Sequence, residues 1–256
     1  MNLLVVGAGA MGRWFGEAVG CEVAFADADP DAATDAAAEV GGRAVALKTD
    51  ESFSTVCVAV PIPAATEAIA EHAGKAESAV VDVTGVMADP LAAMAEHAPD
   101  RERLSLHPLF APANAPGNVA TVADAEGPTT DRLLSSLRER GNDVVETTPQ
   151  EHDEAMSTVQ ASAHAAVLAF ALAADPVPEG LRTPVYDRFD DLVATVTGGD
   201  PRVYADIQAA FDGAEDVATA ARRVADADPE AFERLYEAAG DGEMDGDVAG
   251  DEGAGR

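Results

Sequence analysis

The sequence predicts an α/β fold, a doubly wound parallel sheet followed by an all-helical domain, and three features of its 256 residues predict it. Strand-like and helix-like runs alternate from residue 1 to residue 148. A glycine-rich turn, Gly7-Ala8-Gly9-Ala10-Met11-Gly12, joins the first strand to the first helix. From Thr148-Pro149 onward the apolar spacing is helical only.

The first strand is Leu3–Val6, a short apolar run stopped by glycine, and the first helix is Ala10–Val19. Val23–Ala26 is the second strand and ends at Asp27. Asp29-Pro30-Asp31 opens an alanine-rich helix to about Val40, with proline and acids in its first turn. Further strands are expected at Arg43–Leu47, Val56–Val60, Ala79–Val83 and Arg103–Leu106. Val119–Ala123 and Asp143–Glu146 extend the sheet, with a helix over Thr130–Arg140 between them. Glu151–Ala174 reads as one long helix, apolar enough to be buried on several faces. Arg182–Thr197, Pro201–Phe211 and Glu230–Ala239 read as further helices. The expected organisation is a nucleotide-binding domain over 1–148, a helical substrate and dimerisation domain over 149–240, and an acidic disordered tail over 241–256.

Charge narrows the function classes. Asp and Glu number 47 against 16 Lys and Arg, giving a formal net charge of −31. Such a surface repels phosphate backbones, so no nucleic-acid partner is expected. No apolar run approaches the roughly 18–20 residues that span a bilayer, so no membrane insertion is expected. The start MNLLVV lacks a basic leader region, and the two cysteines, Cys21 and Cys57, make neither a disulfide framework nor a metal cluster. A cytoplasmic location and no metal follow as expectations. Lysine occurs only at 48 and 75. This acid-rich, lysine-poor composition is that of a protein held in multimolar salt, where the Debye length falls to about 3 Å and self-repulsion is screened, as in the cytosol of an extreme halophile.

The Gly-x-Gly-x-x-Gly run follows a strand and opens a helix, the context of a Rossmann dinucleotide site. Gly7 permits the tight turn, Gly9 lets backbone approach a pyrophosphate at the helix N-terminus, and Gly12 lets helix and sheet pack closely. Ala8, Ala10 and Met11 complete the loop. Asp27 is placed to accept hydrogen bonds from a ribose diol and to repel a 2′-phosphate, and no arginine follows it, which favours NAD over NADP. Val60 and Pro61, ending the fourth strand, flank the nicotinamide half, and Asp82-Val83-Thr84-Gly85 faces the same crevice.

Of five histidines, His72 and His97 lie on polar helical stretches and read as surface residues. His107 closes the sixth strand at the ligand end of the sheet. His152 begins the long helix, and His164 shares a helical face with Gln160, one turn earlier. A His and a Gln on an Ala/Val-rich helix are costly to bury without partners. They either face a ligand or bond within a helix interface.

Three segments resemble the prephenate/arogenate dehydrogenase family of tyrosine biosynthesis: GAGAMGRWF at the N-terminus, HPLFAP at 107–112, and EHDEAMSTVQASAH at 151–164. The later GDPRVYADI and the VPI at 60–62 are similar to the family pattern as well. The resemblance covers about residues 1–240. It implies NAD-dependent oxidative decarboxylation of prephenate, with His107 as the base at the ring hydroxyl, His164 and Gln160 at the substrate, and His152 shaping the helix start or domain interface. It also implies a homodimer through the helical domain. Two departures stand out. Gly85-Val86-Met87 occupies the place of a Ser-Val-Lys run, leaving Thr84 as the nearest hydroxyl, and Ala194 occupies the place of an arginine that holds a substrate carboxylate. Arg182 and Arg188 are candidate substitutes. Arogenate dehydrogenase, another dehydrogenase of the same two-part build, and a non-catalytic NAD-binding regulator are the alternatives; the lack of a lysine in the helical half counts against a hydroxyacid enzyme.

Overall fold

In the computed structural model, which describes residues 1–241, eight strands form one sheet. In chain order the first part runs β1 (Asn2–Val6), α1 (Ala10–Val19), β2 (Glu22–Ala26), α2 (Pro30–Val40), β3 (Arg43–Ala44), β4 (Phe53–Val58) and α3 (Ala65–His72). It continues with β5 (Ala76–Asp82), α4 (Ala88–His97), β6 (Glu102–Pro108), β7 (Asn118–Ala125), α5 (Pro128–Glu139) and β8 (Asp143–Glu146). The strand order is β3-β2-β1-β4-β5-β6-β7-β8, parallel from β3 to β6. The chain builds outward from β1, then crosses to β4 on its other side. That reversal opens a crevice at the carboxyl ends of β1 and β4.

Alternation along β1 shows why the strand reads as a solid apolar run. Leu3 and Val5 face one core with Phe15, Phe25, Leu104 and Leu133. Leu4 and Val6 face a second core with Phe53, Val56, Ile69 and Met94. Both faces are covered by helices, so Leu3–Val6 form an unbroken apolar run. Local signals set the helix ends. Asp29 accepts from the Asp31 N–H with Pro30 next in line, and Gly41 closes α2 at φ +84°.

Four expectations change. The third strand shrinks to Arg43–Ala44, because only these residues pair with β2 before the chain turns at the edge of the sheet. β7 runs antiparallel to β6, and β8 follows β7. The segment joining β6 to β7 holds only a short 3-10 turn, Pro112–Asn114, and a parallel return needs a crossover of about a dozen residues or more. The long helix exists but is not uniform: α6 (Pro149–Met156) leads into a π-helical segment, Ser157–Ser162, and then α7 (Ala163–Ala173). Nor is it buried on several faces, since Val167 is the buried residue of α7 and Leu172 is 89% exposed. Joined this way, Pro149–Ala173 is long and apolar enough by length and composition to cross a membrane, which a count of unbroken apolar residues misses. Its first half is nonetheless a packed helix, with His152, Met156 and Ala161 buried.

The remaining helices are α8 (Pro184–Thr197), α9 (Pro201–Ala210), α10 (Gly213–Asp226) and α11 (Pro229–Asp241). The expected helices do not include α10, although Ala214, Val217, Ala218, Ala221 and Val224 give it an apolar stripe at helical spacing. Met156, Ala161, Ile207 and Phe211 form a third core that touches Val86, tying the helices to the loop after β5. The expected disordered tail lies outside the described residues, Asp241 excepted.

Candidate active site

The glycine loop sits at the crevice. Gly7 has φ +101°, and a Cβ there would stand 2.3 Å from the Ala59 carbonyl oxygen, so the turn after β1 and the end of β4 touch through glycine alone. A Cβ on Gly12 would stand 2.1 Å from the Gly7 oxygen. Gly9 differs: a Cβ there would meet nothing within 4 Å. It is the N-cap of α1 and has no side chain to cap the helix. Ala10 and Met11 form the first turn, whose N–H groups open onto that bare space. A loop with space over Gly9 and a free helix N-terminus fits a pyrophosphate.

Asp27 stands just past β2, as the sequence places it, and its carboxylate already holds the loop. Its Oδ2 accepts from the Ala8 N–H at 2.7 Å and its Oδ1 from the Asp29 N–H at 2.9 Å. A carboxylate has about four lone-pair sites, so both oxygens keep capacity for a ribose diol. Val60 lies against Gly7, and Pro61 precedes the 3-10 turn Ile62–Ala64 beside it.

His107 is the penultimate residue of β6, 8% exposed, and two side chains bond its ring. His107 Nδ1 lies 2.9 Å from His152 Nε2, and His152 Nδ1 lies 2.8 Å from Asp153 Oδ1. Gln160 Nε2 lies 3.3 Å from His107 Nε2. The network assigns the tautomers. His152 Nδ1–H donates to the carboxylate, His107 Nδ1–H donates to His152, and His107 Nε2 keeps its lone pair, accepting from the Gln160 amide. Burial, then the neighbouring His152, pushes the His107 pKa down to about 3 against the pull of Asp153, so the ring is neutral near pH 7. Burial by itself raises Asp153, but hydrogen bonds from His152 and from the Met87 and Ala88 N–H groups outweigh it and hold the carboxyl below its ordinary value.

The loop after β5 forms the other wall. Gly85, at φ +97°, would place a Cβ 3.4 Å from His107 Nε2. Thr84, expected at the substrate, spends its hydroxyl proton on Asp82 Oδ2 at 2.6 Å, and its N–H goes to the same oxygen at 3.0 Å. The Thr84 hydroxyl is therefore no donor to a ligand in this arrangement. Burial raises the Asp82 pKa to about 6, moderated by those bonds, and among the described residues its Oδ1 has no partner. His164 packs edge-on against Tyr204 at 4.7 Å between ring centres; among the described residues its buried Nδ1 has no partner, and burial lowers its pKa. Arg182, a candidate for the substrate carboxylate, is held by Asp190 at 3.1 Å and stacks on Tyr186.

No family model matches the chain. The 4-amino-4-deoxyprephenate dehydrogenase of Streptomyces pristinaespiralis is 33% identical over 230 residues, which cover 83% of this chain and 78% of that protein. The chain belongs to the prephenate/arogenate dehydrogenase family. A Methanocaldococcus jannaschii protein described as an arogenate/prephenate dehydrogenase is 23% identical over 225 residues, covering 80% of this chain and 50% of that one. The fold agrees. Prephenate dehydrogenase from Aquifex aeolicus, solved in complex with hydroxyphenyl propionate and NAD+, superposes with a TM-score of 0.68 at 18% identity, over 96% of this chain and 98% of that chain.

His152, expected to shape the helix start or the domain interface, lies at the start of α6 and joins it to the sheet, buried and bonded to His107. The signal was available: a His beside an Asp at a helix start, on a chain whose other candidate His ends a buried strand. His72, read as a surface residue, is also buried, with Lys75 Nζ at 2.8 Å from its Nδ1.

Proposed function

We propose that this chain is an NAD-dependent dehydrogenase that oxidises C4 of a prephenate-type cyclohexadiene and releases CO2, giving 4-hydroxyphenylpyruvate from prephenate. The observation that carries this reading is the lone pair on His107 Nε2, buried at the carboxyl edge of the sheet and backed by His152 and Asp153. The dinucleotide, when bound, supplies the hydride acceptor. Gly7, Ala8, Gly9, Ala10, Met11 and Gly12 shape the pyrophosphate seat, Asp27 accepts from the ribose, and Val60 and Pro61 flank the nicotinamide. Asp27 favours NAD over NADP, by charge against a 2′-phosphate.

The proton inventory closes without an external acid. His107 Nε2 accepts the proton of the ring hydroxyl as the C4–H bond breaks with its electron pair leaving as hydride. Asp153 stabilises the resulting imidazolium through His152 and keeps both rings in the productive tautomer. The C1–carboxylate bond then breaks, its electrons aromatise the ring, CO2 leaves, and His107 returns its proton to the ring oxygen. The Gln160 amide gives up the His107 Nε2 lone pair to the arriving ring hydroxyl and, with His164, lines the substrate side.

A second reading replaces the ring hydroxyl by an amine, as in the substrate named for the Streptomyces relative. The bare Gly85 beside His107 Nε2 and the unpartnered Gln160 Oε1 favour it, because an amine has a second hydrogen to donate. The deciding experiment follows reduced nicotinamide in multimolar KCl with prephenate, arogenate and 4-amino-4-deoxyprephenate in turn. Turnover of the first supports the main reading and turnover of the last the second. NAD binding with no turnover of any of the three rejects both and leaves an NAD-binding regulator.

We further propose that residues 1–148 form the nucleotide-binding domain and 149–240 a helical domain that pairs two copies. Val159 and Leu172 on the long helix, both exposed, support pairing. Sedimentation at high salt tests it; a monomer at micromolar concentration rejects it.

A further inference from the structure

His152 and Gln160 reach the two opposite nitrogens of one His107 ring, from positions eight residues apart on one helical rod. A regular α-helix would spread the two side chains around its axis. At about 100° per residue, eight steps leave two side chains about 80° apart around the axis. The π-helical segment Ser157–Ser162 changes the angle. Its wider i→i+5 turn advances by only about 80° per residue, so four α steps and four π steps bring Gln160 to within about 10° of His152. The π segment is what puts both residues on the face that meets His107.

That segment is held open by two neighbouring helices. Gln208 of α9 donates its side-chain N–H to the Ala161 carbonyl at 2.9 Å. The Ser162 hydroxyl reaches the Ser157 carbonyl at 2.9 Å and the Gly213 carbonyl, at the start of α10, at 3.1 Å. Gly213 is buried against the widened turn, and a Cβ there would stand 2.2 Å from the Ser157 oxygen and 2.5 Å from the Ser162 nitrogen. Those are backbone atoms of the π segment, so any larger residue has to shift the segment itself.

We propose that Gly213 is a positioning residue for the reaction: its bare Cα fits the π turn of the long helix and thereby seats the Gln160 amide on His107 Nε2. The proposal rests on the reading of His107 as the base, and its test has a readout independent of that reading. In nitrogen-15 histidine NMR of the full chain without substrate, Gln160→Ala and Gly213→Ala should move the His107 Nε2 resonance alike. The double variant should move it no further. If the protein also turns over a ring substrate, kcat should fall by up to about 10²-fold in both single variants, without multiplying in the double.

Two milder variants cover the case in which Gly213→Ala does not fold. Ser162→Ala and Gln208→Leu loosen the same turn and should shift the same resonance in the same direction by less. An unmoved His107 Nε2 signal in these folded variants, while Gln160→Ala moves it, overturns the proposal. Multiplying losses of kcat overturn it too. Absent turnover with the expected spectral shifts rejects the dehydrogenase reading and leaves the positioning role standing.

Discussion

The imidazoles of His107 and His152 meet edge to face, with Nδ1 of one 2.9 Å from Nε2 of the other and both rings buried. One ring comes from a strand and the other from a helix 45 residues later, so sheet and helical rod are joined through the proposed base. The carboxylate behind them is the only member of the chain of three that carries charge near neutrality in the assigned tautomers. Asp153→Asn removes that charge, which is the influence that raises the His107 pKa. Basicity at Nε2 should fall further and kcat should drop by about 10²–10⁴-fold. NAD affinity should stay at the wild-type value. Steady-state kinetics with a cofactor titration check this; an unchanged kcat would remove the carboxylate from the mechanism.

Gly9 and Gly12 should separate folding from cofactor binding. Gly12→Ala drives a Cβ into the Gly7 backbone oxygen, so it should lower the melting temperature or prevent folding. Gly9→Ala meets open space at an ordinary backbone φ of −70°, so its melting curve without cofactor should match wild type. Its methyl instead enters the proposed pyrophosphate seat, and NAD affinity should fall by at least about tenfold, or 1.4 kcal/mol. Calorimetric titration of the two variants decides; equal NAD affinity in Gly9→Ala and wild type would move the cofactor elsewhere.

Asp82 should make stability depend on pH in a defined direction. Its pKa is raised from 3.8 to about 6 in the folded chain, so the fold opposes its ionisation. The stabilising contribution of the neutral acid is complete below about pH 4 and is lost as pH rises through about 6. Asp82→Asn stays neutral throughout. It should match wild type below pH 4 and exceed it above pH 6, by up to about 3 kcal/mol. His107 runs the other way, its lowered pKa contributing stability above about 6.5 that is lost as pH falls toward 3. Subtracting wild type from the variant cancels that part. A gap that does not vary with pH would show that Asp82 is charged without penalty.

Salt should rescue the fold. With a net charge of −31, the chain should lose circular dichroism signal or melt early in dilute buffer and regain stability in multimolar KCl. Identical melting at about 0.1 M and 3 M salt would show that the carboxylates are tolerated without screening.

Much of this architecture was legible in the residues. The glycine loop, the strand ends carrying Asp27, Val60 and His107, and the change to helix at Thr148-Pro149 all stand where local patterning put them, because each depends on neighbours in sequence. Thr148 and Glu151 even form the reciprocal cap that starts the rod. What stayed hidden depends on partners far along the chain. The antiparallel turn of β7 follows from a short connection rather than from strand composition. The widened turn at Ser157–Ser162 is set by Gln208 and Gly213, about 50 residues away, and no periodicity in the rod announces it. The bond from His152 to His107 stays hidden because a histidine beside two acids at a helix start names no partner until the strand carrying His107 is laid against it.

The bond between Asp27 and the Ala8 N–H bears on how fast a ligand can enter. The carboxylate that would greet the ribose has already cast the glycine turn, so little backbone freedom is left to lose on association. Mixing NAD with the protein should give a single exponential whose rate rises linearly with concentration. A plateau would reveal a slow rearrangement before or after encounter. Cutting this brace with Asp27→Asn would then do more than change preference between dinucleotides: it would turn a ready-made receptacle into one that each arriving molecule must organise for itself.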